Sequence, residues 1–138
     1  MKRFAILVVC LLLTTTTQAQ NKDAEMAQRD LIKIFELCKK TDDKALADYI
    51  VYRGDDEARR WKDTYKANNK EELASVAGMR YLIQSRYLGM GDYAFANFFQ
   101  EEESEGVWNI WEVHFNGKPV FFAMLKIGDR FAIGDIDD

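Results

Sequence analysis

The sequence predicts an α+β domain in which N-terminal helices pack on a four-stranded antiparallel meander. Three observations predict it. Apolar residues recur at helical spacing as far as Gly91, and beyond it they alternate with a period of two. Asn116-Gly117 and Gly128-Asp129 are tight-turn dipeptides set between apolar runs. Asn69, three residues before Glu72, makes a capping-box pattern at a helix start.

The elements follow in order. Over residues 23–40, Ala27, Leu31, Ile34, Phe35 and Cys38 share one helix face, and Lys39 and Lys40 suit the negative end of its dipole. Thr41 or Asp42 caps a second, shorter helix through Ala45, Leu46 and Tyr49, which runs into Ile50, Val51 and Gly54. The β-branched pair allows a short extra strand over 50–53. Residues 55–66 read as a further helix, with Ala58, Trp61 and Tyr65 on one side. After the Asn69 cap, a long helix carries Leu73, Val76, Ala77, Ile83 and Tyr87 to Gly89. The strands are then 93–101, 107–115, 119–127 and 130–136. EEESEG at 101–106 is the first hairpin loop, a solvated acidic run without the alternating ligands and glycine of a calcium loop.

Turn length sets register, and register decides which side chains share a face. With two-residue turns, Trp111 lies opposite Phe122 and Phe122 opposite Asp135, while Asn109 faces Met124 and Met124 faces Ile133. One face then carries Asn109, Trp111, Val113, Val120, Phe122, Met124, Phe131, Ile133 and Asp135. The other carries Trp108, Ile110, Glu112, His114, Phe121, Ala123, Leu125, Ala132, Gly134 and Ile136. Both are rich in apolar groups, whereas helices cover only one face of a two-layer domain. A homodimer through Trp108, Ile110, Phe121, Leu125 and Ile136 is the expected cover for the second.

The order of elements, closing on VFFAMLKIGDRFAIGDID (120–137), resembles the nuclear transport factor 2-like superfamily. The resemblance spans nearly all of residues 20–138 and lies in element order and texture, with no specific motif. It implies a strongly curved sheet wrapped around the helices as a cone, with a pocket at the wide end. Members include ketosteroid isomerase and dehydratase relatives, which place an acid, or an acid and a histidine, in the cone. Others are noncatalytic and bind ligands, peptides or one another, so the fold alone is a weak warrant for chemistry. A cystatin-type hot-dog arrangement is the alternative.

Several chemistries are poorly served by this composition. His114 is the one histidine and no nucleophile elbow accompanies it, which argues against a serine or cysteine triad. One histidine and one distant cysteine make poor material for zinc, and neither a metal nor a cofactor is expected. Gly89-Met90-Gly91 follows a helix and not a strand, so it reads as a helix end and not a phosphate loop. Glu112 and His114 share a face two positions apart, near the exposed Asn116-Gly117 turn, and read as rim polar groups before they read as an acid–base pair. The expected pocket is lined by Trp61, Tyr65, Asn109, Trp111, Phe122 and Asp135. On the inferred register Asp135 sits on an apolar surface where desolvation would raise its pKa, which makes it the candidate general base.

The N-terminus sets the compartment. Lys2 and Arg3 precede an apolar run over residues 4–13, followed by a small polar stretch ending in Ala19. This is the three-part pattern of a secretory signal peptide, with cleavage after Ala19. The run is about half of the roughly 20 residues that a membrane span requires. Cys10 as a lipid-modified residue is the lesser alternative, because bulky Val9 precedes it. Residues 1–19 are therefore read as a leader and 20–138 as one domain, periplasmic or extracellular, without a membrane span after processing. The chain has 19 Lys and Arg against 23 Asp and Glu, interleaved as in DDEARRWKD, which does not suit nucleic acid. Cys38 is the sole cysteine after processing, so no internal disulfide forms. The function expected from these features is noncatalytic binding of a small apolar ligand or a protein partner. The alternative is a small isomerase or lyase with Asp135 as base.

Overall fold

The computed structural model describes residues 17–138, so the leader expected over residues 1–19 lies, up to residue 16 and with Cys10, outside the described residues. Helix α1 spans Thr17–Lys39 and starts earlier than its apolar spacing predicts. Its buried face carries Ala27, Leu31, Ile34, Phe35 and Cys38, as the spacing requires. Burial pushes the Cys38 thiol up to about 12, so it is packing material and not a reactive group. The helix closes in a Schellman turn, with Asp42 N–H donating to Leu37 O at 3.0 Å. The left-handed residue there is Thr41, φ 56°, where glycine is usual. Gln84 holds it, donating to both Cys38 O and Thr41 Oγ1. Asp42 then caps α2, Asp43–Leu46, by accepting from Ala45 N–H.

Residues 55–66 are not the helix that Ala58, Trp61 and Tyr65 predict. The chain instead doubles back on the segment after α2. Val51 N–H donates to Ile133 O at 2.8 Å, Tyr52 N–H to Asp63 O at 2.8 Å, and Trp61 N–H to Tyr52 O at 3.1 Å. The short strand expected over 50–53 is reduced to two single bridges, Ile50 with Ile133 and Val51 with Thr64. Only isolated turns at 56–63 keep helical bonds, Arg60 N–H to Asp56 O and Asp63 N–H to Arg59 O, and Trp61 at φ 66° interrupts them. The competing demand is tertiary. A continuous helix over 55–66 would leave Ile50, Val51 and Tyr52 without their partners at 61–65 and Trp108 without the Trp61 ring against it, and these outweigh the modest local helix preference.

Helix α3 is Lys70–Tyr81, and Asn69 caps it by accepting from Glu72 N–H at 3.0 Å. The reciprocal half of the capping box is absent, because Glu72 Oε1 accepts instead from Lys66 N–H and from Arg59. The helix widens into a π turn at Leu82–Tyr87 and ends in a 3₁₀ turn at Leu88–Met90. Ile83 and Tyr87 from the π turn are buried.

The strands are β1 Tyr93–Glu103, β2 Gly106–Phe115, β3 Lys118–Ile127 and β4 Arg130–Asp137, an antiparallel sheet in chain order. The α+β class is as predicted, and the sheet is open. Asn116 and Gly117 both adopt positive φ, 50° and 79°, as a two-residue hairpin requires. The first hairpin differs. The acidic run is strand through Glu103, and Ser104-Glu105 alone forms the turn, with Glu103 paired to Gly106.

Trp111 pairs with Phe122, Asn109 with Met124 and Met124 with Ile133, as expected, but Phe122 pairs with Ile136 and not with Asp135. Gly134 is an extra residue between Ile133 and Asp135, a bulge that exchanges the faces of everything after it. Ile136 therefore joins the helix-side core and Asp135 turns to the outer face. The cause is packing. A Cβ at Gly134 would lie 2.6 Å from Cη2 and Cζ3 of Trp108, whose indole reaches across the sheet to this backbone. Gly134→Ala is expected to cost about 1–3 kcal/mol through that overlap. Urea unfolding measures it, and a cost near zero would show that the Trp108 ring is free to shift.

The main core lies between α1, the π turn and the inner face, around Phe35, Phe115, Phe122, Phe131 and Ile133. A smaller core occupies the outer face, where Trp108, Ile110, Ala123, Leu125 and Ala132 are buried with Val51, and Trp61 packs against them. Asp30 ties α1 to β4, its buried carboxylate accepting from Phe131 N–H at 2.9 Å.

Candidate functional site

A cleft of about 340 Å³ opens where the N-terminal part of α1 passes the end of the inner face. Asp23 comes from α1, Gln100 from β1, Asn109 from β2, and Lys126 and Phe131 from the β3–β4 hairpin. Gln100 pairs directly with Asn109, and Lys126 with Phe131, so register alone brings these side chains to one side of the sheet. Trp61, Glu105, Val107 and Leu125 continue the cleft around the end of the sheet.

The polar groups form a relay. Gln100 Nε2 donates to Asn109 Oδ1 at 2.8 Å and to Asp23 Oδ2 at 3.1 Å. Asn109 is buried and donates to Val107 O at 3.1 Å and, at 3.5 Å, to Met124 O. An amide buried in this way orients its neighbours and is costly to leave unpaired. Lys126 adds a cation whose Nζ stands 5.9 Å from the Phe131 ring centroid. The cleft thus offers a carboxylate, an ammonium, amide groups and an aromatic surface, which is the composition of a small-molecule site.

Only part of the expected pocket assembles here. Asn109 and Trp61 line the cleft. Trp111 and Phe122 share the inner face, with the Trp111 indole donating to Ala24 O at 3.0 Å and Phe122 fully buried in the core. Tyr65 packs at the margin of the core beside Tyr52, and its hydroxyl accepts from Arg53 N–H. Asp135 is apart from all of them. It lies on the outer face, partly exposed, with Arg53 Nη1 at 3.9 Å, and it accepts from Ile136 N–H. The apolar, desolvated setting that made it a candidate base is absent.

The residues expected at a dimer interface divide as well. Trp108, Ile110 and Leu125 are buried within one chain, Phe121 is half-buried against Phe99, and Ile136 packs on the inner core. The open apolar face that motivated the dimer is largely closed by the chain itself. Glu101, opposite Trp108, has its carboxyl pushed above the ordinary range by burial and then by Glu103.

Glu112 and His114 do meet, Oε2 to Nε2 at 2.6 Å, and Asn97 donates to the same carboxylate oxygen. They sit on the outer face toward the Asn116-Gly117 end. Ala94 and Pro119 flank His114 on the neighbouring strands, and neither can act as a nucleophile. Among the described residues no three His, Cys, Asp or Glu side chains gather as a metal site would need, and no helix is long and apolar enough to cross a membrane.

Asp23, Gln100 and Lys126 escape sequence reasoning. Reading EEESEG as a six-residue loop hid the register that sets Gln100 opposite Asn109. A two-residue turn at Ser104-Glu105 was the available signal. No family model, characterised protein or solved structure matches the chain.

Proposed function

We propose that this chain is a noncatalytic binding module, exported by its leader, whose cleft holds a small ligand with an apolar body and a polar head. The observation that carries the reading is the relay from buried Asn109 through partly buried Gln100 to Asp23, opening beside Lys126 on an aromatic floor. The relay's groups are hydrogen-bonded to one another and arranged for recognition. The acid–base pair Glu112–His114 belongs to the other end of the sheet, so proton transfer and ligand holding do not converge in one cavity. The isomerase alternative needs Asp135 in the pocket, and its place beside Arg53 removes that support. Helices followed by an antiparallel meander support a nuclear transport factor 2-like relationship, with the cone as the finer form of the proposal. A single chain builds the whole cleft.

The test is a thermal-shift screen of small acids, amines and amphiphiles on the mature protein, its start at Gln20 checked by mass spectrometry. A ligand present at about 100 times its Kd stabilises the fold by about 2.7 kcal/mol. Gln100→Leu and Lys126→Ala should each abolish the shift, and His114→Ala should retain it. Shifts that survive both cleft substitutions place the site elsewhere.

A further inference from the structure

Trp61 stands between two openings. It lines the cleft above and also a second one, of about 340 Å³, shared with Glu57, Arg60, Lys62, Ser104 and Glu105, the last of which also lines both. Its backbone is left-handed at φ 66°, a conformation that bulky residues rarely adopt without a compensating role. Its ring meets that of Trp108 edge-to-face, centroids 5.7 Å apart. Trp108 is 4% exposed, yet its Nε1–H has no hydrogen-bond partner. A buried indole N–H normally finds an acceptor, and an orphan of this kind calls for an explanation. Arg53 completes the arrangement, its guanidinium 4.9 Å from the Trp61 ring centroid while Nη1 donates to Gly134 O.

From these features we infer that Trp61 is a displaceable plug on an aromatic subsite, and that the ligand's own ring, bearing a carboxylate, takes its place against Trp108. The inference rests on the reading of the sheet end as a binding site and extends it to a ligand class, aromatic carboxylates. The backbone of Trp61 stays pinned by its N–H bond to Tyr52 O, so only the indole turns outward. Its departure joins the two openings. Arg53 remains anchored on Gly134 O and lies over the incoming ring as a cation on a π face. The carboxylate accepts the unpaired Trp108 N–H as a charge-assisted hydrogen bond, while at the mouth Arg60 and Lys62 stand with the carboxylates of Glu57 and Glu105.

The experiment titrates ¹⁵N-labelled mature protein with 2-naphthoate and follows the indole N–H signals of Trp61, Trp108 and Trp111, assigned with single Trp→Phe variants. The Trp108 proton should move downfield as it gains an acceptor, and the Trp61 signal should move toward that of a free indole. Trp111, bonded to Ala24 O, should stay and serves as the marker of an intact fold in every variant. Trp61→Ala removes the competing ring and should bind 2-naphthoate about tenfold more tightly, since the competent state no longer has to be selected. Trp108→Phe keeps a ring but loses the donor and should bind about tenfold more weakly. The inference is overturned by a Trp108 signal that does not move at saturating probe, by Trp61→Ala binding no tighter, or by Trp108→Phe binding as the parent does. Gln100→Leu and Lys126→Ala in the thermal-shift screen report on the cleft independently, so the two readings fail separately.

Discussion

Phe35→Ala is expected to lower the unfolding free energy by about 3–5 kcal/mol. Phe35 is fully buried on α1, and its ring meets Tyr93, Phe115 and Phe122 edge-on, with centroids 4.9, 5.8 and 5.3 Å away. Those partners come from β1, β2 and β3, so one side chain fastens the helix to three strands. The loss combines the transfer of a phenyl ring with a cavity that hydrogen-bonded strands cannot collapse to fill. Edge-to-face contacts add to the area term. Urea unfolding followed by tryptophan fluorescence measures the change, and an unaltered m value shows that the midpoint shift is a stability change. Phe121→Ala on the outer face, where the ring is half-buried, should cost less. Equal costs would mean that the outer core contributes as much as the inner one.

Arg59→Met should cost about 1.5–3 kcal/mol at about pH 7, the loss expected when hydrogen bonds to charged groups in a partly buried ion pair are removed. Arg59 donates to Asp63 Oδ2 and Glu72 Oε1, each at 2.8 Å, and to Thr64 O at 3.0 Å, and its guanidinium lies 4.0 Å from the centre of the Tyr52 ring. It thus joins the folded-back segment to the start of α3. Glu72 is buried, and the Arg59 hydrogen bond is the main reason its carboxyl is held below the usual range. Because its folded pKa lies below the unfolded value, its stabilisation is present above the unfolded value and is lost as pH falls through the folded one. In Arg59→Met the buried Glu72 charge keeps the Lys66 N–H as a donor but loses its cationic one, a penalty that protonation relieves. The difference between parent and variant should therefore shrink toward about pH 3. A difference that stays constant would assign the effect to the Arg59 stem on Tyr52.

Both substitutions act where helices and sheet are brought together, and the sequence is legible on one side of that junction more than the other. The inward residues of α1, the caps at Asp42 and Asn69, and the hairpin at Asn116-Gly117 are local matters. Each depends on side chains within a few residues of the backbone they control, and each appears where spacing and turn chemistry place it. The candidate site is legible only in part: Asn109 and Trp61 reach the cleft, whereas Asp135, Trp111, Phe122 and Tyr65 take other positions.

The sequence by itself determined the α+β class, the four strands, the helical core face and most of the pairing between β2 and its neighbour β3. Tertiary structure decided the fate of residues 55–66, the bulge at Gly134 and hence the faces of Asp135 and Ile136. The physical reason is that these depend on partners distant in the chain. Ile50 and Tyr52, held beside Ile133 by the Val51 N–H, offer residues 61–65 backbone partners that a local helix cannot use, and the Trp108 ring, brought across the sheet from β2, occupies the space where a side chain at 134 would stand. One inserted residue changes no local preference, but with a side-chain period of two it exchanges core for surface along the rest of the strand.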